Sequence, residues 1–195
     1  MLRLMIVKIN RPVNHLRILE EPTLKHLVIQ AQKSRDAEAF ILLMEQNRQS
    51  MLKTAKAFLS NEEDVADVIQ DTILTCYEKL DTLKQPEFFK TWLIRILINK
   101  CKDCLRKNQE LHIPEEYTVP GHTQSLSSNY EFRELLSSLD EKYRSILVLY
   151  YSEGFNIREI AQLLELNEHT VKSRLARARK KFAEEYQKED GKIYG

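Results

Sequence analysis

The fold class is decided by residues 139–182, which read LDEKYRSILVLYYSEGFNIREIAQLLELNEHTVKSRLARARKKF. Gly154 is placed to end a helix that precedes the motif. Asn156 and Glu159 then form a capping pair ahead of apolar residues at helical spacing. After a short turn, Asn167 can cap the next helix. Two short helices, a tight turn and a basic second helix are typical of a helix-turn-helix.

The second helix of this motif, residues 168–181, carries six basic residues and one acidic residue, a local balance of +5. Its outward N-terminal residues would meet base edges in the major groove, and the later basic residues would meet phosphates. The predicted base-contacting residues are His169, Thr170, Lys172, Ser173 and Arg174. A solvated cationic face or a protein-binding helical hairpin is the alternative interpretation of these charges.

Composition narrows the class of protein. The chain has 195 residues, of which 43% are hydrophobic and 30% charged, with a net charge of +1. These values fit one ordinary domain or two small ones, and they exclude collagen-like, mucin-like and fully disordered chains. An overall polycation is excluded as well. Any electrostatic function must therefore come from where the charges lie along the chain.

Cysteine content and hydropathy indicate the compartment. The chain has three cysteines, an odd number without the spacing of a secreted disulfide framework. The longest early apolar run, Leu4 to Val7, is far shorter than a signal-peptide core or a membrane span. We therefore expect a soluble cytoplasmic protein.

The domain organisation follows from the placement of turn residues. Residues 108–129 lack helical periodicity and hold Pro114, Pro120 and Gly121, as a linker does. On both sides of this stretch, apolar residues recur at helical spacing. The predicted fold is all-α, with two small helical domains joined by a flexible linker. The predicted segments are an N-terminal extension 1–23, a first domain 24–107, the linker 108–129, a second domain 130–186 and a tail 187–195.

The first domain is predicted to contain several amphipathic helices. Asp36 can cap one that carries Ala39, and a separate helical segment follows over residues 51–59. Ser60 and Glu63 form a capping-box pattern that opens a further helix, from residue 61 to residue 80.

The predicted helix over residues 61–80 has an apolar face and an acidic face. The acidic residues are Asp64, Asp67, Asp71 and Glu78. Four like charges on one side of a helix repel one another, so either water solvates them or a basic partner binds them.

The segment from Phe88 to Lys107 is predicted to be a helix with two different faces. One face is apolar, and the other interleaves aromatic, basic and amide side chains: Phe88, Trp92, Arg95, Asn99, Lys102 and Arg106. Rings can stack on unpaired bases, at about 1–3 kcal/mol per base, while cations neutralise phosphates. This face favours strand-separated DNA. The alternative is that the two rings are buried against a neighbouring helix.

Cys101 and Cys104 form a CxxC pattern on the apolar face of the same segment. A tetrahedral zinc site would need a second such pair or a closely spaced pair of histidines, and the sequence supplies neither. Core thiols are the favoured interpretation, with a metal or redox role as the alternative. The sequence also lacks a catalytic constellation, so we expect no catalytic residue, no metal and no cofactor.

Residues 63–107 and 139–182 together resemble bacterial RNA polymerase sigma factors of the extracytoplasmic-function (ECF) type, within the sigma-70 family. The resemblance implies that the first domain is sigma region 2 and the second is region 4. It implies a non-enzymatic subunit that binds core RNA polymerase, recognises the −35 and −10 promoter elements and promotes DNA melting. The alternative is a stand-alone helix-turn-helix regulator that binds duplex DNA without polymerase; it leaves the acidic face and the aromatic-basic face unexplained.

The resemblance also implies residue roles and partners. The partners are the clamp helices and flap of core RNA polymerase, promoter DNA and an anti-sigma factor that can be membrane-anchored, with no small-molecule substrate. The resemblance assigns core binding to Asp64, Asp67, Gln70 and Asp71. It assigns recognition of the −10 element to Leu83, Lys84, Phe89, Trp92, Arg95 and Asn99. It assigns recognition of the −35 element to His169, Thr170, Lys172, Ser173, Arg174 and Arg177.

Overall fold

The structure is a computed structural model, and it describes residues 23–34, 36–110, 136 and 138–193. The described residues form seven α-helices: α1 Leu24–Ser34, α2 Ala37–Phe58, α3 Glu62–Lys79, α4 Phe89–Glu110, α5 Glu141–Leu147, α6 Ile157–Leu164 and α7 Glu168–Ile193. The predicted all-α class is confirmed. Residues 1–22 and most of the predicted linker lie outside the described residues.

Short turns of other helical types complete these elements. Two 3-10 turns, Leu80–Thr82 and Pro86–Phe88, lie between α3 and α4. A π-helical turn, Val148–Ser152, extends α5, and Gly154 follows it with φ +77°. The left-handed conformation of Gly154 ends the helix as predicted.

The helix α2 corrects the prediction of two separate segments. It runs unbroken for 22 residues from its N-cap Asp36, whose carboxylate accepts from the main-chain N–H groups of Glu38 and Ala39. Residues 45–50 are polar, but they include neither Gly nor Pro, so nothing there interrupts the helix. The buried Asn47 amide donates to the Leu43 carbonyl at 2.8 Å, which satisfies its polar group within the helix.

The start of α3 corrects the predicted Ser60 capping box. Asn61 is the N-cap, and its Oδ1 accepts from the N–H groups of Glu63 at 2.7 Å and Asp64 at 3.3 Å. Asn caps a helix about as well as Ser, and from position 61 it satisfies two of the unpaired N–H groups of the first turn.

The N-terminal domain, α1 to α4, is built around α4. Six α4 side chains are fully buried: Phe89, Leu93, Ile94, Leu97, Ile98 and Cys101. The helices α2 and α3 pack on this face, and α1 covers α2 through Leu27 and Val28. The C-terminal domain, α5 to α7, has its own apolar centre at Ile146, Leu149, Ile160, Val171 and Leu175.

The two domains pack directly against each other through α2, α4 and the first two helices of the C-terminal domain. Buried Arg144 on α5 donates from Nε to the main-chain oxygen of Ala57, at 2.9 Å. That oxygen lies in the last turn of α2, where carbonyls lack partners within the helix and the helix dipole favours a cation. The polar anchor of the interface therefore joins an arginine of one domain to a helix end of the other.

Glu153 forms the second polar anchor of this interface. Its side chain is only 3% exposed and accepts a hydrogen bond from the Ser50 hydroxyl of α2. Lys90 Nζ of α4 lies 3.2 Å from Glu153 Oε2 and donates to the Glu153 main-chain oxygen at 2.9 Å. The same ammonium lies 5.5 Å from the centre of the Phe155 ring. The carboxylate is thus buried with both a cation and a hydroxyl donor.

We expect Glu153→Lys to open the interface between the domains, because it places a second cation beside Lys90 in a buried site. An uncompensated buried charge costs about 3–5 kcal/mol. Small-angle X-ray scattering should show a larger radius of gyration at unchanged helix content. The matched control is Glu165→Lys: Glu165 is 76% exposed and lies 3.2 Å from Lys102, and exposed pairs contribute only about 0–1 kcal/mol. An unchanged radius for folded Glu153→Lys would contradict the role of this anchor.

Candidate functional site

The helix-turn-helix is formed by α6, residues 165–167 and α7. Asn156 and Glu159 make the predicted capping box: Glu159 N–H donates to Asn156 Oδ1 at 3.0 Å, and Asn156 N–H donates to Glu159 Oε2 at 2.8 Å. Glu165 ends α6 in the left-handed conformation, with φ 60°. Asn167 Oδ1 accepts from the N–H of Thr170 at 2.6 Å. Each predicted cap of this motif is therefore confirmed.

The helix α7 buries Val171, Leu175 and Ala178 and turns its polar residues outward. Of the predicted −35 residues, His169, Lys172 and Arg177 are exposed, and Thr170, Ser173 and Arg174 are half-buried. The Ser173 hydroxyl donates to the Thr170 carbonyl at 3.0 Å, so it is held against its own helix. Within the described part of the chain, no ion pair holds Lys172, Arg174 or Arg177. These three cations are available to DNA.

The later basic residues of α7 have partners in their own domain. Arg179 Nε donates to the Tyr151 hydroxyl at 2.7 Å, and its guanidinium carbon lies 5.5 Å from the Tyr151 ring centre. Lys181 Nζ lies 3.5 Å from Asp140 Oδ2, and Lys180 Nζ lies 3.8 Å from Glu184 Oε1. The local charge of +5 is thus partly neutralised beyond the first three turns of α7.

The predicted −10 residues divide between the surface and the core. Lys84, Arg95 and Asn99 are exposed, and Trp92 is half-buried with its ring 6.0 Å from that of Phe89. Phe89 is fully buried and Leu83 is buried, so neither side chain is open to a base in this structure. Phe88, the neighbour of Phe89, is 57% exposed. The exposed ring beside Trp92 is therefore Phe88.

The sequence pattern already placed Phe88 on the aromatic-basic face, and the structure agrees with that face. Arg95, Asn99 and Arg106 all lie outward on α4, and Arg106 donates to Asp103 at 2.9 Å. Lys102 lies at the edge of the face, 3.2 Å from Glu165 of the helix-turn-helix. The face is thus open over most of its length and approaches the C-terminal domain at Lys102.

The acidic face of α3 is exposed over its central part. Asp67, Gln70 and Asp71 are exposed, whereas half-buried Asp64 accepts from Asn108 Nδ2 at 2.9 Å. Asp71 Oδ2 lies 3.8 Å from Lys100 Nζ. Opposite these acids, Val65, Val68, Ile73 and Cys76 are buried against the rest of the domain. The α3 helix therefore presents carboxylates and one amide to solvent.

Cys76 lies on α3, and Cys101 and Cys104 lie on α4. The thiols of Cys76 and Cys101 are buried. Burial raises the pKa of the Cys76 thiol and of the Cys101 thiol from the ordinary value of 9.0 to about 12. Burial, with the nearby Asp64 carboxylate, raises the pKa of Cys104 to about 11. Reactive thiols have lowered pKa values, so these environments favour the core-thiol interpretation. Among the described residues, no three His, Cys, Asp or Glu side chains are grouped to hold a metal.

We expect alkylation of the native protein by iodoacetamide at pH 8 to be at least about tenfold slower than that of the denatured chain, because only thiolate reacts. Because the unfolded chain loses these thiol protons first, stability is fully retained below pH 9 and falls as the pH rises from 9 toward 12. Mass spectrometry with and without denaturant measures the alkylation. Equal rates would contradict the burial of these thiols.

Comparison with known proteins identifies the chain. Residues 43–110 match the family described as Sigma-70 region 2, and residues 130–182 match Sigma-70 region 4. A relative from Alcaligenes xylosoxydans xylosoxydans, RNA polymerase sigma factor NccH, is 30% identical over 177 residues, which cover 84% of this chain and 95% of the relative. The chain belongs to the ECF group of the sigma-70 family.

Other relatives agree with this assignment. RNA polymerase sigma factor SigV from Bacillus subtilis (strain 168) is 29% identical over 147 residues, covering 74% of this chain and 89% of SigV. A solved structure, CnrH in complex with the cytosolic domain of CnrY, is 28% identical with a TM-score of 0.60, and it covers 84% of this chain and 96% of CnrH.

Membership establishes the general function. This sigma factor binds core RNA polymerase and directs promoter-specific transcription initiation, as its family does. Sigma factors are non-enzymatic initiation factors. Across the described residues, no helix is both long and apolar enough to cross a membrane.

Proposed function

We propose that residues 24–107 act as sigma region 2 through two outward surfaces, and that residues 130–186 act as region 4 through one. In this proposal the acidic face of α3, at Asp64, Asp67, Gln70 and Asp71, binds the clamp helices of the polymerase. The helix α7 reads the −35 element, and the outer face of α4 with the loop before it captures the −10 element. In this proposal the protein acts in the cytoplasm, together with the polymerase.

The observation that carries this proposal is the exposed aromatic-basic face of α4. Phe88, Arg95 and Asn99 face outward, and Trp92 lies between them. Stacking and phosphate contacts on such a face need bases that have left the duplex. A stand-alone regulator that reads duplex DNA through α7 has no use for this surface. The face therefore supports promoter melting by the N-terminal domain.

We also propose that an anti-sigma factor holds this protein inactive. The support is the solved structure of CnrH, a similar sigma factor, in complex with the cytosolic domain of a second protein, CnrY. A protein described by its cytosolic domain has a further part outside the cytosol, which is consistent with a membrane anchor. Release of the sigma factor would then free both domains to engage polymerase and promoter.

The experiment that tests the −10 assignment is open-complex formation by Asn99→Ala holoenzyme. On a duplex promoter selected with the wild-type holoenzyme, we expect about tenfold slower opening, since one side-chain contact to the melted strand is lost. On the same promoter with a pre-melted −10 region, the defect should largely disappear. Permanganate footprinting measures both. Gln109→Ala, at an exposed amide on the same helix, is the control. Equal defects on both templates would contradict a melting role.

A further inference from the structure

Gln32 of α1 holds the loop between α3 and α4 by two hydrogen bonds. Its Nε2 donates to the Leu80 carbonyl at 2.9 Å and to the Leu83 carbonyl at 2.8 Å. A side-chain amide has two N–H donors, so both are committed to this loop. The two acceptors lie 48 and 51 residues away along the chain. The contact is therefore made by the tertiary fold and not by local sequence.

A second contact from α1 reaches the other end of the same loop. Lys25 Nζ lies 2.5 Å from Glu87 Oε1, and this hydrogen bond lowers the pKa of the Glu87 carboxyl. Because both side chains are exposed, the pair contributes little to the stability of the fold. Its main effect is to restrict where this end of the loop lies relative to α1. Helix α1 thus touches the loop near both ends.

The loop is divided into an inward and an outward side by these contacts. Leu80 and Leu83 are buried, and their carbonyls face Gln32. Lys84, Gln85 and Phe88 are exposed on the outward side. A loop with its inner carbonyls bound in this way is restricted to fewer conformations, and ordering it on binding costs less free energy.

We propose that Gln32 is a positioning residue for recognition of the −10 element. It fixes the main chain at Leu80 and Leu83, so that Lys84 and Phe88 are presented to the unpaired −10 strand in one arrangement. Gln32 itself touches no DNA. This inference rests on the proposed function of the loop and of α4, and it assigns to α1 a part in promoter recognition that its sequence does not reveal.

Gln32→Met tests the proposal, because it keeps the length and burial of the side chain but removes both donors. Gln30→Met, at an exposed position of the same helix, is the matched control. The measurements are binding of the holoenzyme to a single-stranded −10 oligonucleotide and to a −35 duplex, both from a promoter selected with wild-type holoenzyme. We expect about tenfold weaker binding to the −10 strand for Gln32→Met. Core binding, −35 binding and the control should be unchanged.

Each other result has one meaning. If wild-type holoenzyme does not bind the −10 strand, the proposed function of the loop fails. If wild type binds and Gln32→Met binds equally well, the positioning role is overturned. If Gln32→Met folds but loses −10, −35 and core binding equally, the role is overturned too, because the effect is not specific to the −10 strand. If Gln32→Met does not fold, Lys25→Met carries the test: a selective loss of two- to threefold at −10 supports the role of α1, and no loss overturns it.

Discussion

Replacement of Asp67 and Asp71 by arginine should weaken binding to core RNA polymerase by about a hundredfold or more. The proposal gives these exposed carboxylates a basic partner on the polymerase. Reversal of both charges removes two attractions and creates two repulsions. Surface plasmon resonance with immobilised core enzyme measures the loss of binding. The resulting defect in transcription should be present at every promoter.

Stability should change little in this double variant. Asp71 is 62% exposed and its only described ion pair, to Lys100, is at 3.8 Å, so the pair contributes about 0–1 kcal/mol. The charge-matched control is Glu38→Arg with Glu184→Arg, since both residues are exposed on other surfaces of the molecule. Normal assembly of the Asp67 and Asp71 variant would contradict the docking assignment, as would an equal loss for the control.

We expect Arg174→Ala to lower affinity for the −35 element by about tenfold to a hundredfold, if Arg174 makes a bidentate contact to a guanine. The structure places Arg174 in the second turn of α7, half-buried and clear of any described ion pair. Loss of such a contact also relaxes base preference at one position. Competition binding on a panel of single-base variants of the −35 element measures both effects.

The pattern of loss separates base contact from phosphate contact. A uniform loss across the panel, with a salt dependence reduced by about one charge, would make Arg174 a phosphate contact. The control is Lys180→Ala, because Lys180 is 80% exposed near Glu184 and lies farther along the helix. We expect it to leave base preference unchanged. An Arg174→Ala protein with wild-type affinity and preference would contradict the assignment of the −35 surface.

The sequence predicts the helix-turn-helix well because its signals are local. Asn156, Glu159 and Asn167 cap helices within three residues of themselves, and Gly154 adopts the left-handed conformation that its position requires. Capping of this kind depends on the main chain nearby and little on the rest of the fold. The same logic identified Asp36.

Prediction failed where two local signals competed or where a signal was absent. Ser60 and Asn61 are both good caps, and the chain uses Asn61. Polar residues 45–50 lie between the two predicted segments, but without Gly or Pro they continue α2 as one helix. Adjacent aromatic residues raise a similar difficulty: Phe88 and Phe89 differ by 100° around a helix, and the structure buries only Phe89.

Tertiary contacts between distant residues could not be predicted from periodicity at all. Arg144 and Glu153 lie within the helical pattern of the C-terminal domain, yet both are buried against the N-terminal domain. Gln32 is one of several polar residues on α1, and nothing local marks it as the residue that binds the loop. These roles depend on which elements meet in space.

Co-elution with sigma-free bacterial core enzyme on size exclusion tests whether this protein works as a subunit of RNA polymerase. We expect the wild-type protein, freed of any inhibitor, to form a one-to-one complex that directs run-off transcription from a selected promoter. Separate elution of the folded, inhibitor-free protein and core enzyme would contradict its role as a polymerase subunit.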